Sequence, residues 1–197
     1  MQSLRGTYIA FEGVEGTGKS TQARILADKM SAVLTRENGG TPVGAAIRKI
    51  THEMEQCHRT EALLFAADRA QHIEDVVKPA LAAGRSVVSD RSLWSSIAYQ
   101  GFGRGLDPQH LFRINQWATS GVLPDIVIVL SCPANVISDR FTGRARDRFE
   151  QAGQEFFDRA DAGFRKLSLW APGRWIQINA DQSVHDVSYD ISRALAS

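Results

Sequence analysis

Gly13-Val14-Glu15-Gly16-Thr17-Gly18-Lys19-Ser20 satisfies the pattern G-x-x-x-x-G-K-[ST] in full. The apolar run Tyr8-Ile9-Ala10-Phe11 before it reads as a strand. Lys19 to Met30 after it reads as a helix, with Ile25, Leu26 and Met30 facing inward. A glycine-rich turn between strand and helix lets successive backbone N–H groups point into one concavity, and the helix N-terminus adds positive potential. Lys19 reaches the outer phosphates of a nucleoside triphosphate, and the Ser20 hydroxyl is placed to ligate Mg²⁺. A chance match in a chain of this length is on the order of 1% at average residue usage. The segment therefore reads as a phosphate-binding loop, with Gly13, Val14, Glu15, Gly16, Thr17, Gly18, Lys19, Ser20 and Thr21 around the triphosphate.

Outward from the loop, short apolar runs alternate with helical patterns. Val33-Leu34 reads as a second strand and residues 45–50 as a short helix. Residues 60–83 form a long helical stretch, with Leu63, Leu64, Ala67, Ile73, Val76 and Val77 as its apolar face, Pro79 as a bend and Gly84 as its stop. Val87-Val88 reads as a third strand ending in Ser89-Asp90-Arg91, and Asp107-Pro108 opens another helix. The unbroken run from Ile126 to Leu130 reads as a strand buried on both faces. Phe149, Phe156, Phe157, Phe164 and Leu167 stripe one more helix. Trp175 to Ile178 reads as a fifth strand, and Ser183 caps a last helix carrying Val184, Val187, Ile191 and Leu195. This alternation predicts an α/β fold: about five parallel strands flanked by helices, with ligands at the carboxyl ends of the strands.

The chain has 197 residues, 43% hydrophobic and 23% charged, with a formal net charge of +1. One domain spanning 1–197 accommodates that length. The balanced charge argues against a nucleic-acid binder. Neither a signal peptide nor a membrane span is legible, so the expected setting is the cytoplasm. Cys57 and Cys132 match no metal or redox spacing. His52, Cys57 and His58 match no zinc pattern, and the other histidines are scattered, so none is given a metal role.

No N-K-x-D or D-x-x-G sequence occurs, which excludes the usual GTPase switch chemistry. The third strand ends in Asp90-Arg91, an acid followed by a cation. That pairing suits a site where Mg²⁺-ATP meets a second anion, with the guanidinium holding an acceptor phosphate in bidentate fashion.

Further segments make the resemblance specific. These are Thr35-Arg36-Glu37-Asn38-Gly39-Gly40-Thr41-Pro42, Leu63-Leu64-Phe65-Ala66-Ala67-Asp68-Arg69, Ala98-Tyr99-Gln100-Gly101 and Asp147-Arg148-Phe149-Glu150. With the phosphate loop and Asp90-Arg91, and in this order, they resemble the bacterial-type thymidylate kinases, of the P-loop nucleoside monophosphate kinase fold. The resemblance implies transfer of phosphate from ATP to dTMP with Mg²⁺, giving dTDP for dTTP synthesis. It also implies a homodimer and a mobile lid at 140–150. Asp90, orienting Mg²⁺ through water, joins Ser20 at the metal. Lys19, Asp90, Arg91 and a lid arginine, one of Arg140, Arg144, Arg146 and Arg148 with Arg144 and Arg146 foremost, carry the catalysis, and the loop containing Ala180 packs the adenine.

For the acceptor, the resemblance implies that Glu15 meets the 3′-hydroxyl and that Arg36 and Arg91 hold the phosphate. Arg48 is a weaker candidate for the same phosphate. Phe65 stacks on the base, Arg69 donates to its edge, and Ser96 and Gln100 lie beside it. Tyr99 packs under the 2′-carbon. On the residues alone, Phe65 also reads as ordinary core and Arg69 as a solvated helix charge. Three departures stand out: Asn38 replaces the family's proline, Ser92 its aromatic or histidine, and Asn179-Ala180-Asp181 its Asp-Ala.

Overall fold

The computed structural model describes residues 5–140, 153–169 and 171–197. Within them, strands β1 (Tyr8–Glu12), β2 (Val33–Arg36), β3 (Val87–Asp90), β4 (Ile126–Ser131) and β5 (Arg174–Asn179) form one sheet. Its order is β2-β3-β1-β4-β5, and every neighbouring pair is parallel. The helices are α1 (Lys19–Met30), α2 (Pro42–Glu53), α3 (His58–His72), α4 (Lys78–Ala82), α5 (Leu93–Ser96), α6 (Pro108–Ala118), α7 (Ala134–Arg140), α8 (Gln154–Leu167) and α9 (Val184–Ala196).

Strand alternation divides the core in two. Val127 and Val129 of β4 join Trp94, Phe156 and Phe164 on one face of the sheet. Ile128 and Leu130 of the same strand join Ala23 and Leu26 of α1 and Val187 and Ile191 of α9 on the other. Both faces of β4 are covered, which is why its sequence is an uninterrupted apolar run.

Several local expectations need correction. Met30 and Val184 are exposed, each being the terminal residue of its helix. Residues 45–50 are the middle of a longer helix, which Thr41 caps by accepting from the Gly44 N–H. The stretch 60–83 is α3, a π-helical segment (Ile73–Val77) and α4. Pro79 has no N–H for the helical ladder, and the wider turn lies just before it.

The face of α3 is also different. Leu63 and Ala67 are exposed, while Glu61, Asp68, Arg69 and His72 are buried. Asp68, Arg69 and His72 find partners in the segment at the carboxyl end of β2, and Glu61 finds its own in Gln100 and Arg104. Helix α5, a second π-helical segment (Ile97–Gly103) and α7 are further elements that the apolar periodicity did not reveal.

Candidate active site

The phosphate loop leaves β1 at Gly13. A Cβ there would lie 2.2 Å from the Leu130 carbonyl oxygen, and its φ is +131°, so only glycine fits. Gly18 then adopts a left-handed conformation (φ 93°) and starts α1 without a side-chain cap. The first N–H groups of α1 are therefore left for an anion. Thr17 Oγ1 and Lys19 Nζ both donate to the Val14 carbonyl, each at 2.8 Å. Burial, reinforced by the nearby Arg91 charge, lowers the Lys19 pKa to about 8.

Ser20 Oγ donates to Asp90 Oδ2 at 2.5 Å, joining the loop to the end of β3. The other oxygen of Asp90 is buried and has no partner among the described residues. A hydroxyl beside a carboxylate with an unused oxygen is a hard-oxygen donor set that fits Mg²⁺.

Arg91 follows in a left-handed conformation (φ 77°) that is strained for a side chain with a Cβ. Its N–H is held by the Phe11 carbonyl at 2.9 Å, and its carbonyl accepts from Ser89 Oγ at 2.7 Å. The guanidinium donates to Glu15 Oε1 at 2.7 Å and to Ser95 Oγ at 3.0 Å. Burial disfavours its charge, but the Tyr99 oxygen and the Glu15, Asp90 and Glu12 carboxylates hold its proton more tightly than usual. Tyr99 donates to Glu15 Oε2 at 2.7 Å, and its ring lies 5.0 Å from the Arg91 guanidinium carbon.

A cavity of about 470 Å³ opens between the loop and the ends of β2 and β3. Of the residues singled out in the sequence, it brings together Glu15, Lys19, Ser20, Arg36, Arg48, Phe65, Arg69, Asp90, Arg91, Ser96, Tyr99 and Gln100. Gly16, Gly18 and Thr21 border it too. Ala180 does not border it: it is buried, and its carbonyl accepts from Arg140 Nη2 at 2.8 Å. Arg140 also donates to the Gly16 carbonyl at 2.9 Å and so bridges the phosphate loop and the β5 loop. Arg144 and Arg146, with the lid from residue 141 onward, lie outside the described residues.

Arg69 is neither a solvated charge nor a simple ligand donor. Its Nε donates to Glu37 at 2.6 Å, Nη1 to Ser96 at 3.2 Å and to Asn115, and Nη2 to the Ser92 carbonyl at 3.2 Å. His72 Nδ1 completes the pairing of Glu37 at 2.9 Å. Burial pushes the Glu37 pKa up, but the Arg69 charge and the His72 hydrogen bond together hold it below the ordinary carboxylate value.

Four buried carboxylates, Asp68 among them, had escaped the sequence reading. Besides Glu37 and Glu61 there is Glu12, the last residue of β1. It accepts from the Ser92 N–H (2.9 Å), Ser92 Oγ (2.7 Å) and Ser95 Oγ (2.5 Å). Burial raises its pKa to about 6. An acid closing an apolar strand beside a phosphate loop was the available signal. Ser92, a departure from the family, thus has a clear role: it caps α5 and satisfies Glu12. Asn38, another departure, accepts from Arg48 Nη1 at 3.1 Å through its side-chain oxygen.

Comparisons with known proteins agree with this geometry. Residues 11–191 match the family model for thymidylate kinase. The chain is 42% identical to a thymidylate kinase of Desulforudis audaxviator, over 91% of this chain and 85% of the relative. It is also 42% identical to one of Pelotomaculum thermopropionicum, over 97% and 93%. The crystal structure of thymidylate kinase from Ehrlichia chaffeensis superposes with a TM-score of 0.81 at 28% identity, covering 97% of this chain and 99% of that one. A phosphate loop facing an acid–cation pair across one cleft, on a sheet of this order and with these relatives, leaves one assignment: the chain belongs to the thymidylate kinase family and transfers a phosphoryl group from ATP to dTMP, giving dTDP.

Proposed function

We propose that the cavity is where the two nucleotides meet, with the triphosphate on the loop from Gly13 to Thr21 and dTMP on the side of α3 and the Ile97–Gly103 segment. The observation that carries this reading is the position of Arg91, next to both Glu15 of the loop and the residues of the acceptor side.

Neither nucleotide needs a strong general base. The second pKa of a phosphate monoester is about 6, so the acceptor is mostly dianionic at neutral pH. The task is to hold two polyanions in line against their repulsion. Lys19 exchanges the Val14 carbonyl for the outer phosphates of ATP. Ser20, and Asp90 through water, would hold Mg²⁺, and the metal would screen the phosphate charge. Arg36 and Arg91 hold the dTMP phosphate. Glu15 accepts from the 3′-hydroxyl, and Tyr99, fixed by Glu15, closes the space beneath the 2′-carbon. Phe65 stacks on the base, while Arg69, Ser96 and Gln100 line its edge. Arg144 or Arg146 supplies a further cation to the transferring group, and the Ala180 loop borders the adenine.

Residues 1–197 act as one catalytic domain with 140–150 as its lid. No helix among the described residues is long and apolar enough to cross a membrane. We read the enzyme as cytoplasmic, with no nucleic-acid partner. A homodimer is supported by Leu63 on α3 and Trp117 on α6, both exposed on neighbouring helices. A coupled assay over dTMP, dUMP, dCMP, dGMP and thymidine, with ATP and with or without Mg²⁺, tests the reading. The highest kcat/KM falls to dTMP, and turnover requires the metal. Equal use of dCMP would overturn the base site, and metal-independent turnover would overturn the role of Ser20 and Asp90.

A further inference from the structure

The cleft-facing side of Gln100 is governed by a residue that never reaches the cleft. Gln100 lies in the π-helical segment and is buried. Its Nε2 donates to Glu61 Oε1 at 3.0 Å. Glu61 is fully buried on α3, and the same oxygen lies 3.5 Å from Nε of Arg104, which keeps the carboxylate beside a cation. A carboxylate accepts hydrogen bonds and donates none. An amide next to it must therefore turn its NH₂ inward. Gln100 borders the cavity, and with its NH₂ turned onto Glu61 the acceptor it offers a ligand is the carbonyl oxygen Oε1.

We infer that Glu61 is a specificity-determining positioning residue: by fixing the Gln100 amide with its acceptor toward the cleft, it makes the site select a pyrimidine that carries a hydrogen on ring nitrogen 3. Thymine and uracil have that N–H. Cytosine has a bare lone pair at position 3 and an amino group at position 4. Against Gln100 Oε1 the cytosine lone pair meets a second acceptor, and neither is satisfied. A glutamine free to rotate would serve both bases equally, so the discrimination lies in the pairing with Glu61 and not in Gln100 alone. Arg69, whose guanidinium also borders the cleft, presents donors only and adds to the same preference at position 4. The inference rests on Gln100 lying at the base edge, as proposed above.

The test measures the KM for dTMP and the inhibition constants of dCMP and dUMP against it, in the wild type and in Glu61→Gln, Glu61→Asp and Gln100→Ala. In Glu61→Gln the neighbour can donate or accept, so Gln100 is released to either orientation. The preference for dTMP over dCMP is expected to fall roughly 10- to 100-fold, through binding and not through kcat. The preference for dTMP over dUMP stays unchanged, because uracil keeps the N3 hydrogen. Glu61→Asp keeps an acceptor-only neighbour and retains the discrimination.

If Glu61→Gln does not fold, the exchange Glu61→Gln with Gln100→Glu preserves one amide and one carboxylate and again turns an acceptor to the cleft. It is expected to reject dCMP as the wild type does. An unchanged dCMP preference in folded Glu61→Gln, or dCMP and dUMP preferences that move together, overturns the inference and makes Glu61 a packing residue. Failure of the underlying reading is distinguishable: Gln100→Ala would then leave the KM for dTMP and the dCMP inhibition constant where they were.

Discussion

Lys19 Nζ donates to the Val14 carbonyl at 2.8 Å, so the ammonium proposed to meet ATP lies folded onto its own loop. In the proposed reading ATP binding exchanges that contact for phosphate oxygens, and it needs the protonated amine. With the Lys19 pKa lowered to about 8 by burial and by the charge of Arg91, kcat/KM for ATP should fall about tenfold per pH unit above pH 8. Lys19→Arg should move this decline to higher pH. Lys19→Ala should lose several orders of magnitude in turnover while unfolding at a normal temperature. A pH profile of kcat/KM with circular dichroism melting checks all three. Normal turnover of the folded Lys19→Ala variant would remove Lys19 from the reaction.

Tyr99 is tied to Glu15 by its hydroxyl and packs by its ring against Phe156 and Phe164. Tyr99→Phe should keep the packing and free Glu15, lowering kcat/KM for dTMP by roughly 5- to 30-fold, equivalent to about 1–2 kcal/mol. Tyr99→Ala should also open space under the sugar and narrow the gap between dTMP and its ribo analogue. Kinetics with both nucleotides decide. An unchanged ratio in Tyr99→Ala would make the residue core alone.

Arg69 pairs with Glu37 in a buried network at the wall of the cleft, so removing it should be felt twice. Arg69→Ala leaves a buried carboxylate without its guanidinium and should cost about 3–5 kcal/mol of stability. It should also raise the KM for dTMP and weaken rejection of dCMP, with a smaller change in the KM for ATP. Urea denaturation together with both KM values separates the effects. A variant with full stability would mean that Glu37 is satisfied without Arg69.

Glu12 makes stability depend on pH in a defined direction. Its folded pKa, about 6 against an ordinary 4.5, is raised by burial. Between these values the folded chain binds the proton more tightly than the unfolded chain. This group therefore contributes most below about pH 4.5, and its contribution declines as the pH rises to about 6. The change amounts to about 2 kcal/mol. Glu12→Gln has no such titration, so the difference in unfolding free energy between wild type and variant should shift by that amount from pH 4.5 to 7 and then level off. Glu12→Gln should also lower kcat/KM for dTMP, because Ser95 bridges Glu12 to Arg91. A difference that stays flat with pH would mean that burial does not perturb Glu12.

The phosphate loop, the five strands and the Asp90-Arg91 pair were legible in the chain itself, because each is a local pattern. A glycine that must turn left, a helix that begins without a cap and an apolar run covered on both faces all depend on near neighbours in sequence. The buried carboxylates were not legible. Glu12 finds Ser92 across 80 positions, Glu37 finds Arg69 across 32, and Glu61 finds Gln100 across 39. Nothing local distinguishes such an acid from a solvated one, and on α3 apolar periodicity pointed to the wrong face, with Leu63 outside and Glu61 inside. The sequence by itself determined the phosphate loop and the Asp90-Arg91 pair at the ends of the strands. The tertiary structure alone decided which polar groups hold those residues in place, because a buried charge is tolerated only where distant elements bring it a partner.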